Sequence, residues 1–168
     1  ITEADTWLAC LPLAHVGGLS VVTRALATGT SLMVHDGFDA ARVQQAAAAG
    51  ATAVSLVATA LQRIDPTTFR VIVLGGARPP ARLPPNVHTT YGLTETGPLV
   101  VLGPAMFPPE KFGAVGHRLP YAGVRIVDDE GADVPASDSG EVWLSGPSLM
   151  QGYWRRPELT AEMMPDSW

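Results

Sequence analysis

The chain has 168 residues, with 11 Lys+Arg against 16 Asp+Glu and a formal net charge of -5. This acidic balance argues against a nucleic-acid partner, which requires a concentrated basic face. No apolar run reaches the roughly 18–20 residues that cross a bilayer, and a hydrophobic share of 46% excludes a disordered chain. Because Cys10 is the single cysteine, an internal disulfide is excluded. We therefore expect a cytoplasmic protein with no membrane span.

Apolar strands alternate with helices in the first half of the sequence. Strands are predicted at Trp7–Leu11, Ser31–His35, Thr52–Val57, Arg70–Leu74 and Val87–Thr90, and helices at Val16–Thr28, from the cap Asp39 through Ala49, and at Ala58–Arg63. Gly29 and Gly50 stand where helices end, and Asp39 stands where one begins. Apolar strands joined by helical crossovers form a parallel sheet covered on both faces. The predicted fold class is therefore α/β.

The pattern changes after about Thr96, where glycine and proline become frequent and helical periodicity is lost. Strands are predicted at Gly123–Asp128, with Asp133–Pro135 as its returning partner, and at Glu141–Ser145, followed by a short helix at Pro157–Met163. This order predicts a small antiparallel β subdomain after the parallel sheet. We place the boundary between residues 98 and 99, which gives a partial α/β subdomain at 1–98 and a partial β-rich subdomain at 99–168.

The segment Tyr91–Gly97 holds an aromatic ring, a glycine, two hydroxyls and a carboxylate directly after a predicted strand. Ligands of open α/β sheets bind at the carboxyl ends of strands. There, a tyrosine can stack on a base, a threonine hydroxyl can donate to phosphate, and a glutamate can hold Mg²⁺. The segment also fits a purely structural turn in which Thr94 caps a helix and Tyr91 packs.

Further segments extend this pattern. In chain order they are Leu11–Leu19, Leu74–Ala77, Tyr91–Thr96, the loop Lys111–Gly116, and a glycine-rich stretch made of Gly140–Val142, Ser145–Trp154 and Pro157–Thr160. Together they resemble the motifs of the adenylate-forming superfamily, which includes acyl-CoA synthetases, peptide-synthetase adenylation domains and luciferases. The resemblance covers essentially the whole chain and implies part of that family's large N-terminal domain. The opening segment most resembles the o-succinylbenzoate–CoA ligase branch, which serves menaquinone synthesis.

The resemblance implies roles for individual residues. It assigns Gly75, Gly76, Ala77, Tyr91, Gly92 and Thr94 to the nucleotide, His15, Gly76, Leu93 and Thr96 to the acyl substrate, Thr94 and Glu95 to catalysis, and Glu95 to Mg²⁺. In this assignment Tyr91 stacks on adenine, Thr94 bonds a phosphate oxygen, and His15 lines or gates the acyl pocket. Structural alternatives remain open: Gly75 and Gly76 as a strand-ending turn, His15 as a cap, Gly146, Gly152 and Tyr153 as architecture, and Lys111 as a solvated lysine.

The implied parent reaction joins a small-molecule carboxylate to coenzyme A, with ATP and Mg²⁺, through an acyl adenylate. Two alternatives stay open, an adenylation domain that loads a carrier protein and a non-catalytic nucleotide-binding module. The family's phosphate loop with its lysine is expected before Ile1, and its ribose-binding aspartate after Trp168. We therefore expect this chain to be a fragment that is inactive alone and that forms homo-oligomers through exposed faces.

Overall fold

A computed structural model describes residues 1–103, 114–165 and 168. Lys111, and with it part of the loop Lys111–Gly116, lies outside the described residues. The strands are β1 (Thr6–Ala9), β2 (Ser31–Val34), β3 (Ala53–Leu56), β4 (Val71–Leu74), β5 (Val87–Leu93), β6 (Gly97–Leu102), β7 (His117–Arg118), β8 (Gly123–Val127) and β9 (Glu141–Ser145). The helices are α1 (Val16–Thr28), α2 (Ala40–Ala48), α3 (Ala58–Leu61) and α4 (Pro157–Met163), with a 3-10 turn at Pro66–Thr68.

The described strands form a seven-stranded sheet in the order β2-β1-β3-β4-β5-β6-β7 and a two-stranded sheet of β8 and β9. Strands β1 to β5 pair in parallel, whereas β6 and β7 continue the large sheet in antiparallel fashion. The predicted α/β class, with a mostly parallel sheet followed by a small antiparallel one, is therefore confirmed. Strand β6 crosses the predicted boundary at residues 98 and 99, and the division into 1–98 and 99–168 stays a prediction.

Helices cover both faces of the parallel sheet, because successive strand residues point to opposite sides. On one face, Trp7 and Ala9 of β1 pack with Val21 and Ala25 of α1. On the other face, alternate strand residues pack against α2 and α3 in the larger cluster, which includes Leu8, Cys10, Val43, Val54, Leu56, Ala60 and Ile72. Burial on both sides explains why the parallel strands are apolar throughout.

The helix ends follow from local chemistry. Gly29 adopts the left-handed conformation with φ 69° after α1, and its N–H donates to the Ala25 carbonyl. Asp39 precedes α2, and its carboxylate accepts from the backbone N–H of Arg42. Both assignments were predicted from the sequence and are confirmed, because a capping side chain and a C-terminal glycine act within a few residues of their position.

Two local predictions were wrong. The helix that the structural alternative allowed after Thr94 does not form, because β5 runs on to Leu93 and turns into β6 as an antiparallel hairpin. The predicted return strand at 133–135 is a single bridge between Val127 and Asp133. Strand β8 instead pairs along its whole length with β9, since that pairing satisfies five residues of backbone rather than one.

Candidate functional site

A cavity of about 520 Å³ opens at the carboxyl edge of the parallel sheet. It lies between α1, the ends of β3 and β4, and the β5–β6 hairpin. The lining residues are Leu11, Pro12, His15–Gly18, Ser20, Arg24, Ser55–Val57, Val73, Gly75, Gly76, Thr90, Gly92–Glu95, Pro98 and Leu99. This is the edge at which open α/β sheets bind their ligands.

The hairpin turn that presents Thr94 and Glu95 is fixed by its own short contacts. Thr96 is buried, and its hydroxyl accepts from the Leu93 N–H at 3.0 Å and approaches the Gly97 carbonyl at 3.2 Å. Gly92 lies so close to β6 that a Cβ there would overlap the backbone of Gly97 and its neighbours. Thr94 is consequently held exposed at the tip, facing the cavity.

Glu95 is half-buried and is contacted from the glycine-rich stretch far along the chain. The Tyr153 hydroxyl donates to Glu95 Oε1 at 2.6 Å, and the Met150 N–H donates to the Glu95 carbonyl at 2.6 Å. The hydrogen bond to Glu95 raises the pKa of Tyr153 above its ordinary value. Oε1 of Glu95 is therefore held by a hydrogen bond from Tyr153, while the Glu95 side chain also lines the cavity.

The structure brings most of the predicted site residues together, but not all. His15, Gly75, Gly76, Gly92, Leu93, Thr94 and Glu95 line the one cavity, whereas Ala77, Tyr91 and Thr96 do not. Tyr91 packs against the cluster of Val100, Ala122 and Leu144. The Thr96 hydroxyl forms hydrogen bonds within the turn, and the residue lines a neighbouring cavity. The packing of Tyr91 matches its structural alternative. Stacking of Tyr91 on adenine and contact of Thr96 with the acyl substrate stay predictions.

His15 occupies the N-cap position of α1 with extended backbone, but its side chain makes no capping hydrogen bond. The residue is exposed and its side chain lies at the cavity rim. The structural alternative for His15, a cap, is therefore met by its backbone, whose carbonyl accepts from the Gly18 and Leu19 N–H groups, while its side chain is not used in capping. An imidazole at this rim can contact whatever enters beside α1.

Sequence reasoning missed two polar residues inside the cavity. Arg24 on α1 stacks its guanidinium 4.6 Å from the centre of the Trp7 ring, and one of its terminal nitrogens is buried with no partner among the described residues. The hydroxyl of Ser55 on β3 is also buried and has no hydrogen-bond partner among the described residues. Burial lowers the pKa of Arg24 from its ordinary value. Arg24 as a whole is half-buried, but a buried N–H donor without an acceptor is costly, so this part of the cavity is suited to an anion.

A signal for Arg24 was present in the sequence. It is the only charged residue in the apolar helix α1, and it follows Gly17 and Ser20 at the spacing that places all three on one helix face. All three line the cavity. No comparable signal marks Ser55, because a serine within an apolar strand is equally compatible with a satisfied core position.

A second cavity of about 360 Å³ lies on the other side of the hairpin turn. Its walls come from β9, the end of α4 and Trp168, and they include Leu93, Glu95, Thr96 and Tyr153. Glu95 therefore lies in the wall between two cavities.

Comparison with known proteins gives the family. A family model described as AMP-binding enzyme matches residues 1–154, and the chain belongs to this family. A 2-succinylbenzoate–CoA ligase of Geobacillus kaustophilus is 33% identical over 99% of this chain. An indoleacetate–CoA ligase of Aromatoleum aromaticum is 31% identical over 100% of it. The structure of the Bacillus subtilis o-succinylbenzoate coenzyme A synthetase (MenE), in complex with ATP and magnesium ion, matches with a TM-score of 0.89 at 29% identity over 100% of this chain.

The chain spans well under half the length of these relatives. It covers 37% of the Geobacillus ligase, 36% of the Aromatoleum ligase and 38% of the Bacillus subtilis chain. Within the described residues, none of the helices combines the length and the apolar character needed to cross a membrane.

Proposed function

We propose that this chain is part of an ATP-dependent carboxylate–CoA ligase. In the proposed reaction a carboxylate oxygen attacks the α-phosphorus of ATP, which forms an acyl adenylate and releases pyrophosphate. The thiol of coenzyme A then attacks the acyl carbon, which forms the thioester and releases AMP. The observation that supports this best is the single cavity shared by Thr94, Glu95, His15 and the Gly75–Gly76 turn in a chain of the AMP-binding family.

The donor set fits a nucleotide-bound Mg²⁺. Mg²⁺ prefers oxygen ligands and is usually held by one or two carboxylates together with substrate phosphates. Glu95 supplies one half-buried carboxylate beside the exposed hydroxyl of Thr94. When bound, the ion would neutralise charge that develops on the phosphates during adenylation. In this proposal Glu95 holds the ion, and the Thr94 hydroxyl donates to a phosphate oxygen. Because ATP and coenzyme A serve as substrates, we also propose a cytoplasmic location.

The polar groups of Arg24 and Ser55 in the cavity support a substrate with a second anionic group. One terminal nitrogen of Arg24 is buried without a partner among the described residues, and none of the carboxylates described there pairs with Arg24. The Ser55 hydroxyl, which is also buried and unpaired among those residues, lines the same cavity. A planar guanidinium binds a carboxylate through paired N–H donors. Succinylbenzoate has two carboxylates, one to be activated and one left free, whereas indoleacetate has one. We therefore propose o-succinylbenzoate, the precursor in menaquinone synthesis, as the substrate of the parent enzyme.

The experiment compares two acids with the intact, full-length enzyme. ATP–pyrophosphate exchange and thioester formation with coenzyme A are measured for o-succinylbenzoate and for indoleacetate, using wild type, Arg24→Gln and Arg63→Gln. Hydrogen bonds to charged groups contribute about 1.5–3 kcal/mol, so Arg24→Gln should lose about 10–100-fold in kcat/KM for the dicarboxylate and little for the monocarboxylate. Arg63 is a matched control because it also lies over an aromatic ring, Phe38, outside the cavity.

Three results would contradict the proposal. Absence of exchange with every acid would refute the adenylating activity. ATP–pyrophosphate exchange without formation of a coenzyme A thioester would refute coenzyme A as the acyl acceptor and would favour a carrier protein. An equal loss with both acids in Arg24→Gln would refute the assignment of Arg24 to the second carboxylate.

A further inference from the structure

The glycine-rich stretch fixes the Thr94–Glu95 turn at two points, although it is far away in sequence. The Met150 N–H binds the Glu95 carbonyl, and the Tyr153 hydroxyl binds Glu95 Oε1, each at 2.6 Å. The first contact holds the backbone of Glu95, and the second holds one end of its carboxylate. Together they restrict both the position of the turn and the rotation of the side chain.

Tyr153 is itself fixed from the opposite side. Its N–H donates to the Thr160 hydroxyl at 2.9 Å, and that hydroxyl donates to the Arg156 carbonyl at 2.9 Å. Gly152 has φ +135°, and a Cβ there would come within 2.7 Å of the Thr160 side chain. Helix α4 thus anchors the tyrosine through Thr160, and the tyrosine in turn anchors Glu95.

We propose that Tyr153 is a positioning residue for the metal-binding carboxylate of Glu95. The inference rests on the proposed function, in which Glu95 holds Mg²⁺. A neutral phenol that donates to Oε1 orients the carboxylate and leaves its charge in place. The second oxygen, Oε2, is then directed to one location without a search among rotamers. Partners of this kind behind a metal ligand typically contribute about 10–100-fold to metal affinity or activity.

The test uses the full-length enzyme with ATP and without a carboxylate substrate, so that no turnover occurs. Mn²⁺ replaces Mg²⁺ as the probe, and electron paramagnetic resonance of the enzyme mixture, compared with a matched solution of Mn²⁺ and ATP without enzyme, gives the Kd of Mn²⁺ at the enzyme site. Tyr153→Phe removes only the hydroxyl and should raise the Mn²⁺ Kd about 10–100-fold. Tyr121→Phe is the matched control, because it removes an exposed hydroxyl that donates to the Leu99 carbonyl at 3.2 Å. It should change the Kd less than about twofold. The Tm of each variant is measured in parallel.

The outcomes separate this inference from the proposed function. If Glu95→Gln raises the Mn²⁺ Kd and Tyr153→Phe does not, the positioning role is wrong and the metal role of Glu95 stands. If neither variant raises it, both are wrong. If Tyr153→Phe lowers the Tm strongly, the Mn²⁺ Kd of Thr160→Val is measured in its place. This variant removes the hydroxyl that accepts from the Tyr153 N–H and keeps the phenol. A raised Kd in Thr160→Val supports the inference, and an unchanged Kd overturns it.

Discussion

Replacing Asp5 tests how the start of the sheet is held together. Asp5 is 2% exposed, and its carboxylate accepts from the Thr2 N–H at 2.7 Å, the Thr52 hydroxyl at 2.8 Å and Arg70 Nε at 2.9 Å, with a second contact to the Arg70 terminal nitrogen. The hydrogen bond from Arg70 is the largest cause that holds the pKa of Asp5 far below its ordinary value. These bonds join the amino ends of three neighbouring strands.

Asp5→Asn keeps the shape but places an amide N–H₂ against groups that are themselves donors. Breaking a buried ion pair costs about 3–5 kcal/mol, and half of the Arg70 side chain, 49%, is exposed to water, which reduces the loss. We expect the free energy of unfolding to fall by about 2–3 kcal/mol at pH 7. For a domain of this size that is a fall in Tm of roughly 5–10 °C.

The pH dependence has a defined sign. Because the pKa of Asp5 is lower in the folded state than in the unfolded state, its contribution is complete above the unfolded pKa of about 3.9 and is lost as pH falls. The difference in unfolding free energy between wild type and Asp5→Asn should therefore shrink below about pH 4. Urea unfolding of the 168-residue chain from pH 7 down to pH 2.5, at one chain concentration for all variants, measures it.

The matched control is Asp133→Asn. Asp133 accepts from Arg125 Nε at 2.7 Å, but its side chain is 68% exposed. Exposed ion pairs contribute about 0–1 kcal/mol, so this variant should be close to wild type. Equal losses in both variants, or a loss in Asp5→Asn that stays constant down to pH 2.5, would refute the reasoning.

The remaining predictions concern the turn and the surface. In the full-length enzyme, Glu95→Gln should lower the adenylation rate at limiting Mg²⁺ about a hundredfold or more, while the exposed Glu130→Gln should not; equal rates in pyrophosphate exchange would remove the metal role. Gly92→Ala should lower the Tm and the exchange rate together, because its methyl group would overlap β6; a wild-type Tm would contradict the close approach. The isolated 168-residue chain should self-associate at micromolar concentration through Leu26, which is 78% exposed, and Val34, which is 58% exposed on the edge strand β2. Lysine at both positions should reduce the self-association measured by sedimentation. A monomeric 168-residue chain without these substitutions would refute the prediction.

Much of the fold could be predicted because its signals are local. The cap Asp39, the helix end Gly29 and the apolar strands each depend on neighbours within a few residues or on burial on both faces of the sheet. The β5–β6 hairpin and the pairing of β8 with β9 could not be predicted in the same way. Their strands are short, and the choice of partner depends on which other edges are free in the assembled structure.

For the candidate site, the sequence by itself indicated the Thr94–Glu95 turn through the chemistry of its adjacent residues. It indicated the Gly75–Gly76 turn and His15 through their resemblance to motifs of the adenylate-forming superfamily. Only the tertiary structure decided that Tyr91 packs inward, that Arg24 and Ser55 face the same cavity, and that Tyr153 holds Glu95 from 58 residues away. The physical reason is that the folded chain decides which polar atoms are buried without a partner and which distant residues come within hydrogen-bond distance. Burial depends on the packing of α1, the sheet and the glycine-rich stretch together.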